Sequence, residues 1–131
     1  MIPKLRAWKK YDSPEMFKDI AFIDFNKKLL GVNYKVSKLT TRLDIETLDK
    51  FILMQSTGLK DKNGIEIYEG DVVKDNLSEK YIVKYNRGFC AYFIYSFDNQ
   101  EEFMAIYPNI ILEVIGNIYE NPELLEDTKN D

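Results

Sequence analysis

Residues 57–73, TGLKDKNGIEIYEGDVV, contain two turn signals and the start of a strand, and they decide the fold. The run from Asp61 to Gly64 has the residue types of a tight turn whose last position requires a positive φ. It is followed by the strand-like IEIY, which predicts a hairpin. Gly70 then allows a bend, and Asp71 can hold that bend by accepting hydrogen bonds from nearby backbone amides before VVK starts a new strand.

The remainder of the chain repeats this pattern of short strands and turns. Strand patterns occupy residues 4–12, 17–25, 29–36, 80–86, 89–97 and 110–121. Gly88 allows the reversal of one hairpin, and Gly116 inside the last apolar run predicts a bulge or bend. Strands of this length with turns about every ten residues are typical of a small sandwich or barrel.

One segment departs from the alternating pattern. Residues 37–51 place Leu43, Thr47, Leu48 and Phe51 at helix-like spacing. Apolar residues three and four positions apart share one face of a helix. We therefore predict one or two turns of helix in this segment.

The composition is that of a globular protein. The 131 residues are 45% hydrophobic and 31% charged, which suits one compact domain or two small subdomains that share a core. No apolar run approaches the roughly 18 residues of a membrane helix, and the charged start MIPKLRAWKK lacks the apolar centre of a signal peptide. We expect a cytoplasmic protein with no membrane partner.

Charge divides unevenly along the chain. Residues 1–62 contain 13 Lys and Arg against 8 Asp and Glu, whereas residues 63–131 contain 5 against 14. Opposite poles favour head-to-tail self-association or a basic surface for an acidic partner, unless they neutralise each other within one fold. Because the short chain also has nine Tyr, eight Phe and one Trp, we predict a homo-oligomer in which aromatic side chains cover a junction or another subunit.

The sequence lacks the residue types that most catalysis requires. It has no histidine, which excludes mechanisms that pair histidine with serine or cysteine. Glu66, Glu69 and Asp71 suggest a divalent-metal site or an acid/base pair, but solvated carboxylates at a strand end and a turn role for Asp71 fit the same residues. Cys90 lies in an apolar run, where a buried, inert thiol is expected. No glycine-rich phosphate loop is present, and we expect no catalytic residue, metal or cofactor.

A basic segment near the start is the strongest indication of nucleic-acid binding. Its cations alternate with aromatic residues, so that the cations could contact phosphates while the rings stack on bases. The candidate contacts to nucleic acid or a protein partner are Lys4, Arg6, Trp8, Lys9 and Lys10. The overall acidity argues against this interpretation, and Trp8 could equally pack in a core.

Three blocks of sequence resemble the YopX family of bacteriophage and prophage proteins. They are KLRAWKKYD (4–12), ILMQSTGLKDKNGIEIYEGDVVK (52–74) and EVIGNIYENPELLE (113–126). The resemblance implies a phage or prophage origin, a location in the host cytoplasm, and a mainly β structure whose latter part is an SH3-like barrel; it implies no activity. The motif residues that carry it in a structural role are Gly58, Asp61, Gly64, Tyr68, Gly70, Asp71, Gly116, Asn117 and Pro122.

These observations combine into one architecture and two candidate functions. We predict a mainly β fold with little helix: an N-terminal β hairpin or meander with a short helical segment over 1–54, an SH3-like β-barrel over 55–121, and an acidic tail over 122–131. The predicted function is a non-catalytic interaction or assembly module for an unknown host or phage protein, using exposed tyrosines among Tyr68, Tyr81, Tyr92, Tyr95 and Tyr107. The alternative is a nucleic-acid-binding protein.

Overall fold

The computed structural model describes residues 4–98, 101–107 and 110–125, and this part of the chain is almost entirely β. Its strands are β1 Leu5–Lys9, β2 Glu15–Phe17, β3 Ile20–Asp24, β4 Leu29–Lys35, β5 Thr41–Thr47, β6 Phe51–Lys60, β7 Glu66–Tyr68, β8 Asp71–Lys74, β9 Lys80–Asn86, β10 Ala91–Ser96, β11 Phe103–Ala105 and β12 Glu113–Asn117. Two short 3₁₀ helices span Leu48–Lys50 and Pro122–Leu125. The predicted mainly β class is confirmed.

The chain divides into two compact units between Gln55 and Ser56, one residue beyond the boundary predicted from sequence. β6 crosses this division. Its first half pairs with β1 in the first unit. Its second half pairs with β7 in the second unit, through Ser56 and Lys60. Gly58, with φ +82°, lies where that register shifts.

The first unit contains the antiparallel order β3-β4-β5. The β3–β4 hairpin confirms the pairing predicted for residues 17–25 and 29–36. Alternate residues of β4 point to one face and are buried there, together with residues of β1 and β6. The buried cluster consists of Ala7, Leu30, Val32 and Phe51.

Of the one or two helical turns predicted within residues 37–51, the structure contains one short turn, and the rest of the segment is not helical. Residues 41–47 form β5, which pairs with β4 along its whole length, and only Leu48–Lys50 form a turn of 3₁₀ helix. Leu43 and Ile45 alternate with charged residues at period two, which competes with the helical spacing. Pairing with β4 makes this segment a strand, because tertiary pairing overrides a weak local preference for helix.

The second unit contains an antiparallel sheet in the order β11-β10-β9-β8-β12, which curls into a half-barrel. Its β9–β10 hairpin confirms the pairing of residues 80–86 with 89–97. The buried cluster of this unit consists of Val73, Val83 and Ile94 from this sheet, Ile67 from β7, and Leu112, which precedes β12. The closer likeness to an SH3 barrel stays a prediction.

The turn after β6 is built on the carboxylate of Asp61, which is 6% exposed. Its Oδ1 accepts hydrogen bonds from the amides of Asn63 and Ile65, both at 2.8 Å. Its Oδ2 accepts one from the amide of Val114 at 2.9 Å, which ties the turn to β12. Gly64 occupies the left-handed position at φ +81°, as predicted.

The same turn occurs a second time, at a place that sequence inspection missed. Asp75 Oδ1 accepts from the amides of Leu77 and Glu79 at 2.9 and 3.0 Å, and its Oδ2 accepts from the Tyr81 hydroxyl at 3.0 Å. The left-handed position is taken by Ser78 at φ +64°. A serine there hides the signal, because glycine or asparagine is the usual marker.

The corner between β7 and β8 confirms the roles predicted for Gly70 and Asp71. Gly70 has φ +89°, and its amide donates to the carbonyl of Val83 at 2.9 Å. Asp71, 2% exposed, accepts the amide of Tyr68 at 2.8 Å. Tyr68 itself is buried, so it is a core residue of this unit.

The last strand ends in a bulge and a capped turn. The register of β12 against β8 shifts between Val114 and Gly116, which confirms the predicted bulge. Asn117 Oδ1 accepts from the amides of Tyr119 and Glu120 at 3.0 and 2.7 Å. Pro122–Leu125, at the start of the tail predicted over 122–131, form a 3₁₀ helix; residues 126–131 lie outside the described residues.

Candidate functional site: the aromatic row and the acidic groove

Four aromatic rings form a continuous row across the second unit. Phe93 and Tyr95 are two residues apart on β10 and therefore lie on one face of the sheet. The β10–β11 register places Phe103 opposite Tyr95. Neighbouring centroids are each 5.3 Å apart for Phe89–Phe93, Phe93–Phe103 and Tyr95–Phe103. We call Phe89, Phe93, Tyr95 and Phe103 the aromatic row.

Two members of the row are far more exposed than the ring between them. Phe89 is 66% exposed and Phe103 is 45% exposed, whereas Phe93 between them is 8% exposed. Tyr95 is fixed by its hydroxyl, which accepts a hydrogen bond from Asn86 Nδ2 at 2.9 Å. Lys84 Nζ lies 5.3 Å from the centre of the same ring. Stacked rings held this way present a rigid apolar surface at small entropic cost.

The turn between β9 and β10 positions Phe89 and corrects the prediction for Cys90. The amide of Phe89 donates to Asn86 Oδ1 at 3.1 Å. Cys90 adopts φ +53° and is an exposed free thiol rather than a buried strand residue. The apolar run that predicted burial begins one position later, at Ala91, because the chain needs residues 87–90 to reverse direction.

A groove of about 520 Å³ shares Phe103 with the row but otherwise opens on the other face of the sheet, because its β10 members Ile94 and Ser96 alternate with Phe93 and Tyr95. Its apolar lining comes from Tyr81, Ile94, Phe103 and Met104, and its polar lining from Glu79, Ser96, Asp98 and Glu102. Burial, the hydrogen bond to Asp75 and the neighbouring carboxylates together raise the pKa of Tyr81. The three carboxylates Glu79, Asp98 and Glu102 give this acidic groove a negative charge, which favours a cationic ligand group over an anionic one.

The acidic residues that were considered as a metal site lie in β7 and at the corner that follows it. Glu66 lies in β7, and Asp71 accepts the Tyr68 amide at the corner. Glu69 lies in the turn between them. Within the described ranges, no group of three or more His, Cys, Asp or Glu side chains is placed to hold a metal ion. In the same ranges, no helix is long and apolar enough to cross a membrane.

The basic segment near the start is divided by the fold. Arg6 is 3% exposed and its neighbour Ala7 is fully buried, so both faces of β1 are covered at this point. Lys9 Nζ forms an ion pair with Glu46 Oε2 at 2.8 Å; this bond raises the pKa of Lys9 and lowers that of Glu46. Arg6, one of the predicted contact residues, is therefore buried in this fold.

The remaining members of the segment keep some access to solvent. Lys4 is exposed, and Trp8 and Lys10 are half-buried. Lys10 Nζ lies 5.4 Å from the centre of the Tyr11 ring, and Tyr11 is 59% exposed. Contact of these residues with nucleic acid or a protein partner stays a prediction, and the structure assembles them into no continuous cationic surface with Arg6.

The motif residues, in contrast, build backbone turns and not a binding surface. Sequence reasoning singled out the turn residues but missed the two most exposed members of the aromatic row, Phe89 and Phe103. The available signal was the density of aromatic residues in the run 89–97. It could not show which rings lie outside, because Phe103 reaches the row from a different strand.

Comparison with known proteins agrees with this architecture. A sequence model of the family described as YopX protein matches residues 4–126. The crystal structure of protein EF1440 from Enterococcus faecalis is similar at 28% sequence identity and a TM-score of 0.61, covering 95% of this chain and 99% of that one. Protein yopX from Bacillus subtilis shares the fold at 21% identity and a TM-score of 0.55, covering 92% and 96%. No curated protein matches. Because the family's sequence model spans nearly all of the chain, the protein belongs to the YopX protein family.

Proposed function

We propose that the protein is a non-catalytic interaction module whose aromatic row binds a partner protein. The observation that carries this proposal is the exposure of rings in mutual contact: Phe89 and Phe103 flank the nearly buried Phe93 at centroid distances of 5.3 Å on either side. Rigid aromatic anchors around a buried centre are the residues that dominate binding energy in protein interfaces. Exposed aromatic rings grouped in this way are typical of protein–protein contact sites.

The groove that shares Phe103 with the row indicates the chemistry of that partner. Its walls combine apolar side chains with Glu79, Asp98 and Glu102, and the 63–131 half of the chain is acidic. A partner segment with aromatic or aliphatic side chains next to lysine or arginine complements both features. The resemblance of the three sequence blocks to phage and prophage proteins supports an accessory role in the cytoplasm of a bacterial host, with a phage or host protein as the partner.

The test compares proteins retained by variants of the row. Tagged wild-type protein, the double variant Phe89→Ser/Phe103→Ser and the control Ile65→Ser are each used to capture proteins from host cells after prophage induction. Ile65 is 48% exposed in the same unit but outside the row and the groove. We expect partners retained by the wild type and the control, quantified by mass spectrometry, to be lost from the double variant at unchanged melting temperature.

Two outcomes would contradict the proposal. Equal retention by the double variant would show that the row is not the interface. The same preparations are examined by gel shift with single- and double-stranded nucleic acid at two salt concentrations. An affinity that falls with salt and persists in the double variant would favour the nucleic-acid prediction instead.

A further inference from the structure

β5 is an edge strand whose outer backbone groups have no partner strand among the described residues. It ends the order β3-β4-β5. The bonds from the Val36 amide to the Thr40 carbonyl (2.9 Å) and from the Leu48 amide to the Lys28 carbonyl (2.8 Å) bracket the β4–β5 ladder. In an antiparallel ladder, residues alternate between facing the partner and facing away. The amides and carbonyls of 41, 43, 45 and 47 therefore point away from β4.

The side chains of the same residues form an exposed apolar surface. Leu43 and Ile45 are 50% and 51% exposed. Phe22, 37% exposed, lies over Gly31 on the same face, close enough that a Cβ at residue 31 would overlap its ring. The opposite face of the sheet carries the buried Leu30 and Val32. A long edge strand with apolar side chains is the type of edge that natural proteins cover with another strand.

We infer that two copies of the chain pair antiparallel through β5, about a two-fold axis at Leu43. Outward-facing residues of one copy must lie opposite outward-facing residues of the other. The two-fold axes near the middle of β5 that meet this condition lie at positions 42, 43, 44 and 45. An axis at Arg42 or Asp44 places that charged residue opposite itself. An axis at Ile45 places Asp44 opposite Glu46. An axis at Leu43 alone places Arg42 of each copy opposite Asp44 of the other and creates no like-charge pair.

The charged residues are already held in positions that suit this pairing. Arg42 Nε and Asp44 Oδ1 are 2.7 Å apart within one chain, and the guanidinium carbon lies 5.0 Å from the centre of the Tyr34 ring. In the dimer these two arginines and two aspartates alternate in sign. Glu46 keeps its own bond to Lys9 at 2.8 Å, so pairing at Leu43 breaks no ion pair of the single chain.

This dimer is isologous, because each copy contributes the same surface. It goes beyond the proposed function, because it uses the first unit, whereas the aromatic row lies in the second. Loss of partner capture by the Phe89→Ser/Phe103→Ser variant therefore leaves the dimer intact, and loss of the dimer leaves the row intact.

Light scattering coupled to size exclusion tests the dimer at about 100 µM protein, because association depends on concentration. We expect the wild type at twice the 15.4 kDa chain mass. Leu43→Lys places two ammonium groups opposite each other at the axis and is expected to run as a monomer. Leu77→Lys, at a side chain 82% exposed in the second unit, is the matched control and is expected to remain a dimer.

Charge reversal tests the register and does not depend on Leu43. Arg42→Asp and Asp44→Arg each create like-charge pairs across the axis and are expected to lower the dimer fraction. The combined Arg42→Asp/Asp44→Arg variant restores opposite charges and is expected to restore the dimer. A monomeric wild type would overturn the inference. So would a dimer that persists in Leu43→Lys, or single charge reversals that leave the dimer fraction unchanged.

Discussion

Replacing Asp61 by alanine tests whether one carboxylate holds the β6–β7 turn to β12. The wild-type carboxylate accepts three backbone hydrogen bonds at 2.8, 2.8 and 2.9 Å, from Asn63, Ile65 and Val114. Bonds to a charged group contribute about 1.5–3 kcal/mol each, but bonds that share one acceptor group are not additive. Water can replace the carboxylate at the exposed Asn63 and Ile65, and less readily at the half-buried Val114.

We therefore expect Asp61→Ala to lower the free energy of unfolding by about 3 kcal/mol. Urea unfolding followed by far-UV circular dichroism measures this loss. Hydrogen exchange locates it, because the Val114 amide should lose its protection while amides of the first unit keep theirs. The amide of Leu48, which donates to the Lys28 carbonyl at 2.8 Å, serves as the reference in the first unit.

The second turn of the same design provides the control. Asp75 also accepts two turn amides, but its third donor is the Tyr81 hydroxyl, which can rotate to meet water. We expect Asp75→Ala to cost about 1 kcal/mol. If Asp75→Ala costs as much as Asp61→Ala, or if Val114 keeps its protection in Asp61→Ala, the reasoning is refuted.

Three further predictions concern pH and backbone geometry. Although burial opposes it, the three amides hold the pKa of Asp61 below its usual 3.8. The stabilisation from the ionised carboxylate is therefore complete above pH 3.8 and declines below it. In acid unfolding curves the difference in stability between the wild type and Asp61→Asn should shrink, and a constant difference would contradict this. Gly70→Val should lower stability by about 1–3 kcal/mol, because φ is +89°; an unchanged melting temperature would argue against strain. Ser78→Gly should raise stability by about 0.5–1 kcal/mol at φ +64°, and a lower melting temperature would count against it.

Local signals succeeded where a single residue type was sufficient to define the backbone. Asp61 with Gly64, and Gly70 with Asp71, predicted two bends that the structure contains. The matching turn at Asp75 went unrecognised because Ser78 stands where Gly64 does in the first. Sequence preference reports the usual occupant of a left-handed position, and a tertiary bond such as the one from Tyr81 can stabilise an unusual occupant.

The candidate surfaces were less predictable than the turns. Cys90 and Phe89 were placed together in one strand, but the reversal at 87–90 exposes both. Arg6 was predicted as a contact residue and is buried. Exposure depends on which elements cover a strand, and that information lies in pairings between residues far apart in sequence.

The sequence by itself determined the β class, the first of the two aspartate turns, the β7–β8 corner and the family, because periodicity and turn chemistry act within a few residues. Only the tertiary structure decided that 41–47 is an edge strand, and that Phe103 joins Phe89 and Phe93 in one row. Both depend on strand order, which sets the neighbours of each side chain. Strand order is fixed by burial of Leu30, Val32, Val83 and Ile94 in two cores, a cooperative free energy that no short segment contains.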